Sequence, residues 1–239
     1  MTFEVIPAID VAGGRLARLS GAGHATVDAF GGDPRAAAER YASEGARWIH
    51  VVDLDLAGTG EPGNLDVVRS VAELGPRVQA SGGVTTAAQV DALLAAGAAR
   101  VVVGSATLAD RDATERLLEG LGEALAVGIE ADGPRIVPRG SGGRELPLWE
   151  TIEWLRGLGV PRFVFTGVGR VGSLEGPDLD GIRALATRTG RPVIASGGIR
   201  GLEDLRAIAG VGGSVEGAIV GRALLDGGMD LRSAIAAFA

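Results

Sequence analysis

Ala80-Ser81-Gly82-Gly83 and Ala195-Ser196-Gly197-Gly198 are the same four residues at the same point of the same pattern. Each closes a short apolar run, Pro76-Arg77-Val78-Gln79 or Arg191-Pro192-Val193-Ile194, and each precedes a helix-like segment. Each is then answered by a second apolar run ending in glycine, Val101-Val102-Val103-Gly104-Ser105 or Ala218-Ile219-Val220-Gly221-Arg222. A strand that ends in glycine and feeds a helix leaves bare backbone N–H groups near a helix N-terminus, which suits an anion such as phosphate. A lone Gly-Gly would read simply as a tight βα turn. Recurrence at matched spacing points instead to two phosphate sites. The expected binding residues are Ser81, Gly82, Gly83, Gly104 and Ser105 in one half, and Ser196, Gly197, Gly198, Gly221 and Arg222 in the other.

Outward from these turns, apolar β-branched runs alternate with Ala/Leu/Arg/Glu-rich helical segments. Strands are expected at 3–9 (ending at Asp10), 48–53, 76–81, up to Gly104, 124–130, 162–166, up to Ser196 and up to Gly221. Helices are expected near 34–45, 64–72, 85–97, 111–123, 147–157, from Asp178, 201–209 and 230–238. Pro34 suits a first helical position and Asn64 a cap. Polar, Gly-rich loops at 20–33, 56–63, 131–146 and 167–177 are natural lids. Eight βα units in 239 residues predict a closed (β/α)8 TIM barrel, a single domain over 1–239, rather than an open sheet. The halves also match. Glu61-Pro62-Gly63-Asn64-Leu65-Asp66 aligns with Glu175-Gly176-Pro177-Asp178-Leu179-Asp180 at an offset of 114. The Ala-Ser-Gly-Gly copies lie 115 apart, the later glycines 117, and Asp10 and Glu130 120. The chain reads as two similar half-barrels.

Composition then narrows the chemistry. With 46% apolar residues the chain can bury a large core, yet no stretch reaches membrane-spanning length, so a cytoplasmic protein is expected. Cysteine is absent, which removes disulfides, thiolate nucleophiles and Cys-based metal sites. All 23 basic residues are Arg, which excludes a Schiff-base lysine. The two histidines, His24 and His50, are too few for a multi-histidine metal centre. A net charge of −7 argues against a nucleic-acid partner. What remains is carboxylates, hydroxyls, two imidazoles and fixed dipoles. Asp10 and Glu130 end strands one and five, on opposite sides of the expected mouth and between the phosphate turns. That suits an elongated bis-phosphate substrate with a reacting centre between a general acid and a general base. An acid and a base around a fixed substrate need no metal or organic cofactor, and none is expected. The two-fold repeat is satisfied within one chain, so a monomer is expected.

Ile6-Pro7-Ala8-Ile9-Asp10, His50-Val51-Val52-Asp53-Leu54-Asp55, both Ser-Gly-Gly turns and Gly217-Ala218-Ile219-Val220-Gly221-Arg222-Ala223-Leu224 resemble the phosphoribosyl ketol-isomerase of histidine biosynthesis. The resemblance covers essentially the whole chain. The run from Leu205-Arg206-Ala207-Ile208-Ala209-Gly210 to Val215-Glu216-Gly217 looks most like the actinobacterial form, which also performs the equivalent step of tryptophan biosynthesis. The resemblance implies an Amadori-type aldose–ketose isomerisation of a bis-phosphorylated aminoimidazole carboxamide ribonucleotide. It implies that Asp10 is the general base, taking the C2 proton after an acid at the end of strand five opens the furanose ring. That acid is Glu130, where the family pattern has Asp. Thr166 matches the family's catalytic threonine and Arg18 an arginine near the ligand. Gly167 and Val171 replace functionally important Asp residues, Ser141 replaces a stacking Trp, and Thr85 stands where an Arg is usual. Two other readings stay open: a non-catalytic paralogue that binds phosphoribosyl ligands, and an isomerase specialised for phosphoribosylanthranilate in the tryptophan pathway. Absence of Cys disfavours the single-function tryptophan isomerase, and absence of Lys the related cyclase.

The remaining candidates read more plainly. Asp53 could orient Arg18 or His50, and a structural role is preferred. His50 reads as a satisfied buried imidazole, His24 as a loop residue, and Asp132 as a substitute acid only if the strand end shifts. Trp48, Trp149 and Trp154 read as packing.

Overall fold

The computed structural model describes residues 3–20, 23–119, 122–138, 143–171 and 175–239. Alternation along the first strand, β1 (Glu4–Ala12), sets the architecture. Val5, Ile9 and Val11 enter a large outer core, while Ile6 and Ala8 enter a separate inner cluster. A strand apolar on both faces belongs in a sheet covered on both sides. The same division recurs in β2 (Trp48–Asp53), β4 (Ala98–Val103), β5 (Leu125–Asp132), β6 (Phe163–Gly167), β7 (Val193–Ser196) and β8 (Val215–Val220), with β3 (Arg77–Val84) completing the set. Each strand pairs in parallel with the next, β5 pairs with β6, and β8 pairs back onto β1, so the sheet closes. Trp48, Val102, Ala126, Val164, Ile194 and Ile219 join Ile6 and Ala8 to fill the interior, which is a packed core rather than a pore.

Helices α1 (Pro34–Ser43), α2 (Leu65–Ala72), α3 (Ala87–Ala95), α4 (Arg111–Leu118), α5 (Leu148–Gly157), α6 (Leu179–Thr189), α7 (Leu202–Val211) and α8 (Leu231–Ala236) follow the strands in turn. Local chemistry fixes their starts. Asp33 caps α1 through the Arg35 amide (2.9 Å) ahead of Pro34, and Thr86 with Gln89 forms a reciprocal capping box on α3. The chain is therefore a (β/α)8 TIM barrel. Among the described residues no helix is long and apolar enough to cross a membrane.

Four expectations change in detail. The 20–33 loop contains a strand, Gly23–Thr26, antiparallel to Arg15–Ser20, so His24 lies on a hairpin. The 56–63 loop begins as a helix, Leu54–Thr59, because Asp53 at its N-cap accepts from the Asp55 and Leu56 amides (3.1 and 3.0 Å). The 131–146 loop starts as a continuation of β5 that returns antiparallel as Arg135–Ile136. Ser81-Gly82-Gly83 is a bulge inside β3: Ala80 pairs with Val101 and Val84 with Val103, leaving extra residues on β3. α3 then starts only at Ala87. Left-handed backbone at Gly82 and Gly83 (φ 127° and 74°) permits the bulge.

Candidate active site

Strand periodicity builds the mouth. Asp10 continues the inward face of Ile6 and Ala8, Glu130 that of Ala126, Thr166 that of Val164, and Ser196 that of Ile194. All four lie at the C-terminal ends of their strands. In the ladder, Thr166 sits between Glu130 on β5 and Ser196 on β7. Asp10 is paired with Val52, which in turn is paired with Ser81. The ring order sets β1 opposite β5, with the glycine turns of β3–β4 and β7–β8 on the two flanks.

Glu130 is half-buried and held. Ser105, itself buried, donates its hydroxyl to Glu130 Oε2. A Cβ at Gly128 would lie 3.2 Å from the Val103 carbonyl oxygen and in ordinary contact, 3.8 Å, with Glu130 Oε1. Sequence singles out Ser105 by its position after the Gly104 turn; its side chain serves the carboxylate.

The flanking turns are closely built. A Cβ on Gly104 would lie 3.1 Å from the Gly83 Cα, so the β3 and β4 turns touch through glycine alone. The Gly104 amide is spent on the Val84 carbonyl (2.8 Å), and short helices open directly after Gly104 and Gly221, at Ser105 and Arg222. The first N–H groups of each have no intrahelical acceptor. In the second half, Gly197 and Gly198 are left-handed (φ 92° and 78°), as their counterparts are. Arg222 pairs with Asp226 (3.0 Å) one turn along.

Ser81 is tied to a buried polar chain that sequence alone does not reveal. A guanidinium only donates, so Arg100 Nη1 gives its proton to Gln79 Oε1 (2.9 Å). Gln79 Nε2 then donates to His50 Nδ1 (3.0 Å), which leaves His50 Nε2–H to donate to Ser81 Oγ (3.1 Å). This hydrogen-bond logic assigns a neutral His50 in one tautomer. His50 is thus a satisfied buried imidazole, as its sequence context suggests.

A second network lies under the first βα loops. Asp53 Oδ2 accepts from the Gly63 and Asn64 amides (2.9 and 3.0 Å), and Asn64 Nδ2 donates to Asp53 Oδ1 (2.6 Å) and Asp55 Oδ2 (2.9 Å). Asp55 Oδ2 accepts from the Gly13 amide (2.7 Å), and Asn64 Oδ1 from Gly14 (2.9 Å). The Gly13 amide, followed by Asn64, holds the Asp55 carboxyl below its ordinary value, against the opposing effect of burial. Asn64 heads α2 without capping it, because its side chain serves these carboxylates instead. The Asp53 hydrogen bonds go to this network rather than to Arg18 or His50. A strand-end Asp with a second Asp two residues on and an Asn beyond the glycines was the available signal.

The other candidates are dispersed. Arg18 is exposed on the hairpin, and no hydrogen bond among the described residues links it to the mouth. Asp132 is exposed at the far end of β5, paired with Arg135 in the returning strand. Thr85 directs its amide to Gln89 Oε1 (2.7 Å) at the start of α3. Gly167 ends β6, and a short helical turn, Val168–Arg170, comes directly after it. Val171 Cγ2 reaches within 3.6 Å of where a Gly197 Cβ would be. Ser141 lies outside the described residues. Among the described residues no cluster of three His, Asp or Glu side chains is arranged to hold a metal.

Comparison with known proteins places the chain in a family. The family model described as "Histidine biosynthesis protein" matches residues 4–230. A protein of Parafrankia sp. (strain EAN1pec), named 1-(5-phosphoribosyl)-5-((5-phosphoribosylamino)methylideneamino)imidazole-4-carboxamide isomerase, is 44% identical over 239 residues, covering 99% of this chain and 96% of its own. One of the same name from Brevibacillus brevis is 37% identical, over 98% and 96% of the two chains. "Phosphoribosyl isomerase A" of Mycobacteroides abscessus is 42% identical, over 99% of each. The chain belongs to the histidine biosynthesis protein family.

Proposed function

We propose that the protein is the aldose–ketose isomerase of histidine biosynthesis, acting on the bis-phosphorylated imidazole carboxamide ribonucleotide in its relatives' name. The observation that carries this reading is the inward pair Asp10 and Glu130 at the ends of opposite strands, flanked on each side by a glycine turn. Each phosphate is bound at one flank, at Ser81, Gly82, Gly83, Gly104 and Ser105 or at Ser196, Gly197, Gly198, Gly221 and Arg222. Backbone N–H groups and short helix starts supply the donors. Arg18 adds a contact from the hairpin.

Glu130 is the general acid that protonates the furanose ring oxygen, opening the ring to an iminium between C1 and its nitrogen. Asp10 removes the C2 proton. The C2–H electrons form the C1–C2 double bond of an enolamine, and the iminium electrons return to nitrogen. Return of a proton to C1 and loss of the C2 hydroxyl proton give the aminoketose. Nothing is oxidised or reduced overall. Ser105 orients Glu130, whose side chain is one methylene longer than the family's Asp, and Thr166 lines the same edge. A 1 Å misplacement can cost about a hundredfold, so a dedicated hydrogen bond to the longer acid has catalytic value.

On this reading residues 1–239 form one barrel domain that works as a cytoplasmic monomer on a small molecule, without nucleic acid or cofactor. The internal two-fold repeat and the net charge of −7 support it. A coupled assay with the purified protein and this aminoaldose tests the assignment. Saturable conversion to the ketose is expected; saturable binding without conversion would contradict it, and turnover of phosphoribosylanthranilate would then separate the specialised isomerase from the non-catalytic reading.

A further inference from the structure

The N-terminal end of the barrel, opposite the mouth, holds a polar cavity of about 310 Å³ lined in part by Arg47, Trp48, Arg77, Arg100 and Glu216. The acids there are already committed. Glu4 holds Arg47 (2.6 Å). Glu216 takes a two-point contact from Arg162, Nε to Oε1 and Nη2 to Oε2, and Arg162 also reaches Glu123 (3.0 Å). Glu216 approaches Arg100 only at 3.9 Å. Arg77 makes no ion pair among the described residues. Its guanidinium lies 4.3 Å from the centre of the Trp48 ring, and that of Arg100 lies 4.2 Å from the same ring.

Arg100 is 7% exposed, yet among the described residues it makes one hydrogen bond, to Gln79, and its buried Nε has no partner. A guanidinium carries five donors, so most of this one is unused. Burial, and then the charge of Arg162, pull the Arg100 pKa down to about 10, with Glu216 opposing them. Four arginines, Arg47, Arg77, Arg100 and Arg162, face three carboxylates, Glu4, Glu123 and Glu216. The cluster therefore has positive charge to spare, beside open space and two under-used guanidinium groups.

We propose that this cavity is a binding site for a small oxyanion of the phosphate class, held by Arg77 and Arg100 beside Trp48. Guanidinium edges match such oxygens in two-point contacts. The site lies at the other end of the barrel from the mouth; Arg100 reaches Ser81 through Gln79 and His50, whereas Arg77 lies outside that chain and so tests the site apart from the isomerase reading. The indole N–H signals of Trp48, Trp149 and Trp154 in the full-length protein provide a test, with Trp48 assigned from a Trp48→Phe variant. Inorganic phosphate is titrated against chloride at constant ionic strength. The Trp48 signal should move along a saturating curve, with its midpoint weakened at least tenfold in Arg77→Ala, whose side chain is exposed, and in Arg100→Gln. A Trp48 signal that does not respond, or an unchanged midpoint in a folded Arg77→Ala protein, would overturn the proposal.

Discussion

The two half-barrels build the same glycine turn on different supports. In the first, Asp53 ends β2, caps the helix Leu54–Thr59 and joins Asn64 and Asp55 in gripping the Gly13–Gly14 turn. That helix lies against the β3 turn: a Cβ on Gly83 would lie 3.3 Å from the Ala57 Cα. In the second half, 114 residues on, Gly167, Gly169 and Asp178 stand for Asp53, Asp55 and Asn64. Gly167 has no side chain with which to cap a helix, and the described segment after it is a single short turn, Val168–Arg170. Asp178 caps α6 through the Gly181 amide (2.9 Å). The glycine turns have kept the same left-handed backbone; among the described residues the loops over them are anchored by different groups. Turn geometry and loop support are separable parts of this barrel: in the second half the Gly176 amide donates to the Gly198 carbonyl (3.1 Å), a backbone contact in place of the carboxylate network of the first.

The chemistry should be the most sensitive part of the comparison. Glu130→Gln removes the proposed proton donor while keeping the shape, and kcat should fall about a thousandfold in the coupled assay. Ser105→Ala keeps the acid but not its hydrogen bond, and should cost about tenfold in kcat with a smaller change in KM. Near-normal turnover in Glu130→Gln would move the acid role elsewhere.

Next come the turns. Ala in place of Gly82 would set its Cβ 2.2 Å from the Asp53 carbonyl oxygen in a left-handed backbone, whereas at Gly197 the nearest atom, the Gly167 carbonyl oxygen, is 3.2 Å away. Chemical denaturation should show a loss of about 3–5 kcal/mol for Gly82→Ala and roughly 1–2 kcal/mol for Gly197→Ala. Equal losses would mean that the supports do not differ.

The anchors themselves are compared through Asn64→Ala and Asp178→Ala. The first strips partners from two carboxylates and should cost about 2–4 kcal/mol; the second removes one helix cap, about 1 kcal/mol.

The smallest effect is one of pH. The Asp55 carboxyl is held below its ordinary value of 3.8, so its contribution is complete above that pH and is lost as pH falls through the lower native value. Protection of the Gly13 amide against hydrogen exchange, scaled for the intrinsic rate, should fall in that acid range.

Most of the barrel is legible in the sequence because its signals are local. β2 is bounded by Trp48 and Asp53 as expected, Pro34 starts α1, and Gly197-Gly198 follows the end of β7, whereas Gly82-Gly83 lies in a bulge inside β3. The helix Leu54–Thr59 is hidden because Gly58, Thr59 and Gly60 look like loop, while its stability comes from Asp53 and from packing on Gly83. The chain Arg100–Gln79–His50–Ser81 is hidden for another reason. Its members belong to three strands, and only the barrel's register brings them together. Asn64 reads as a cap because composition at a helix start carries that meaning; only tertiary structure reveals that two carboxylates compete for its side chain.

The central claim is that Asp10 takes the substrate's C2 proton while the glycine turns hold both ends. It is tested most directly by measuring turnover and substrate affinity together in Asp10→Asn. A loss of kcat of roughly a thousandfold or more is expected, with the dissociation constant changed by less than about threefold. Turnover within about tenfold of the parent protein would contradict it.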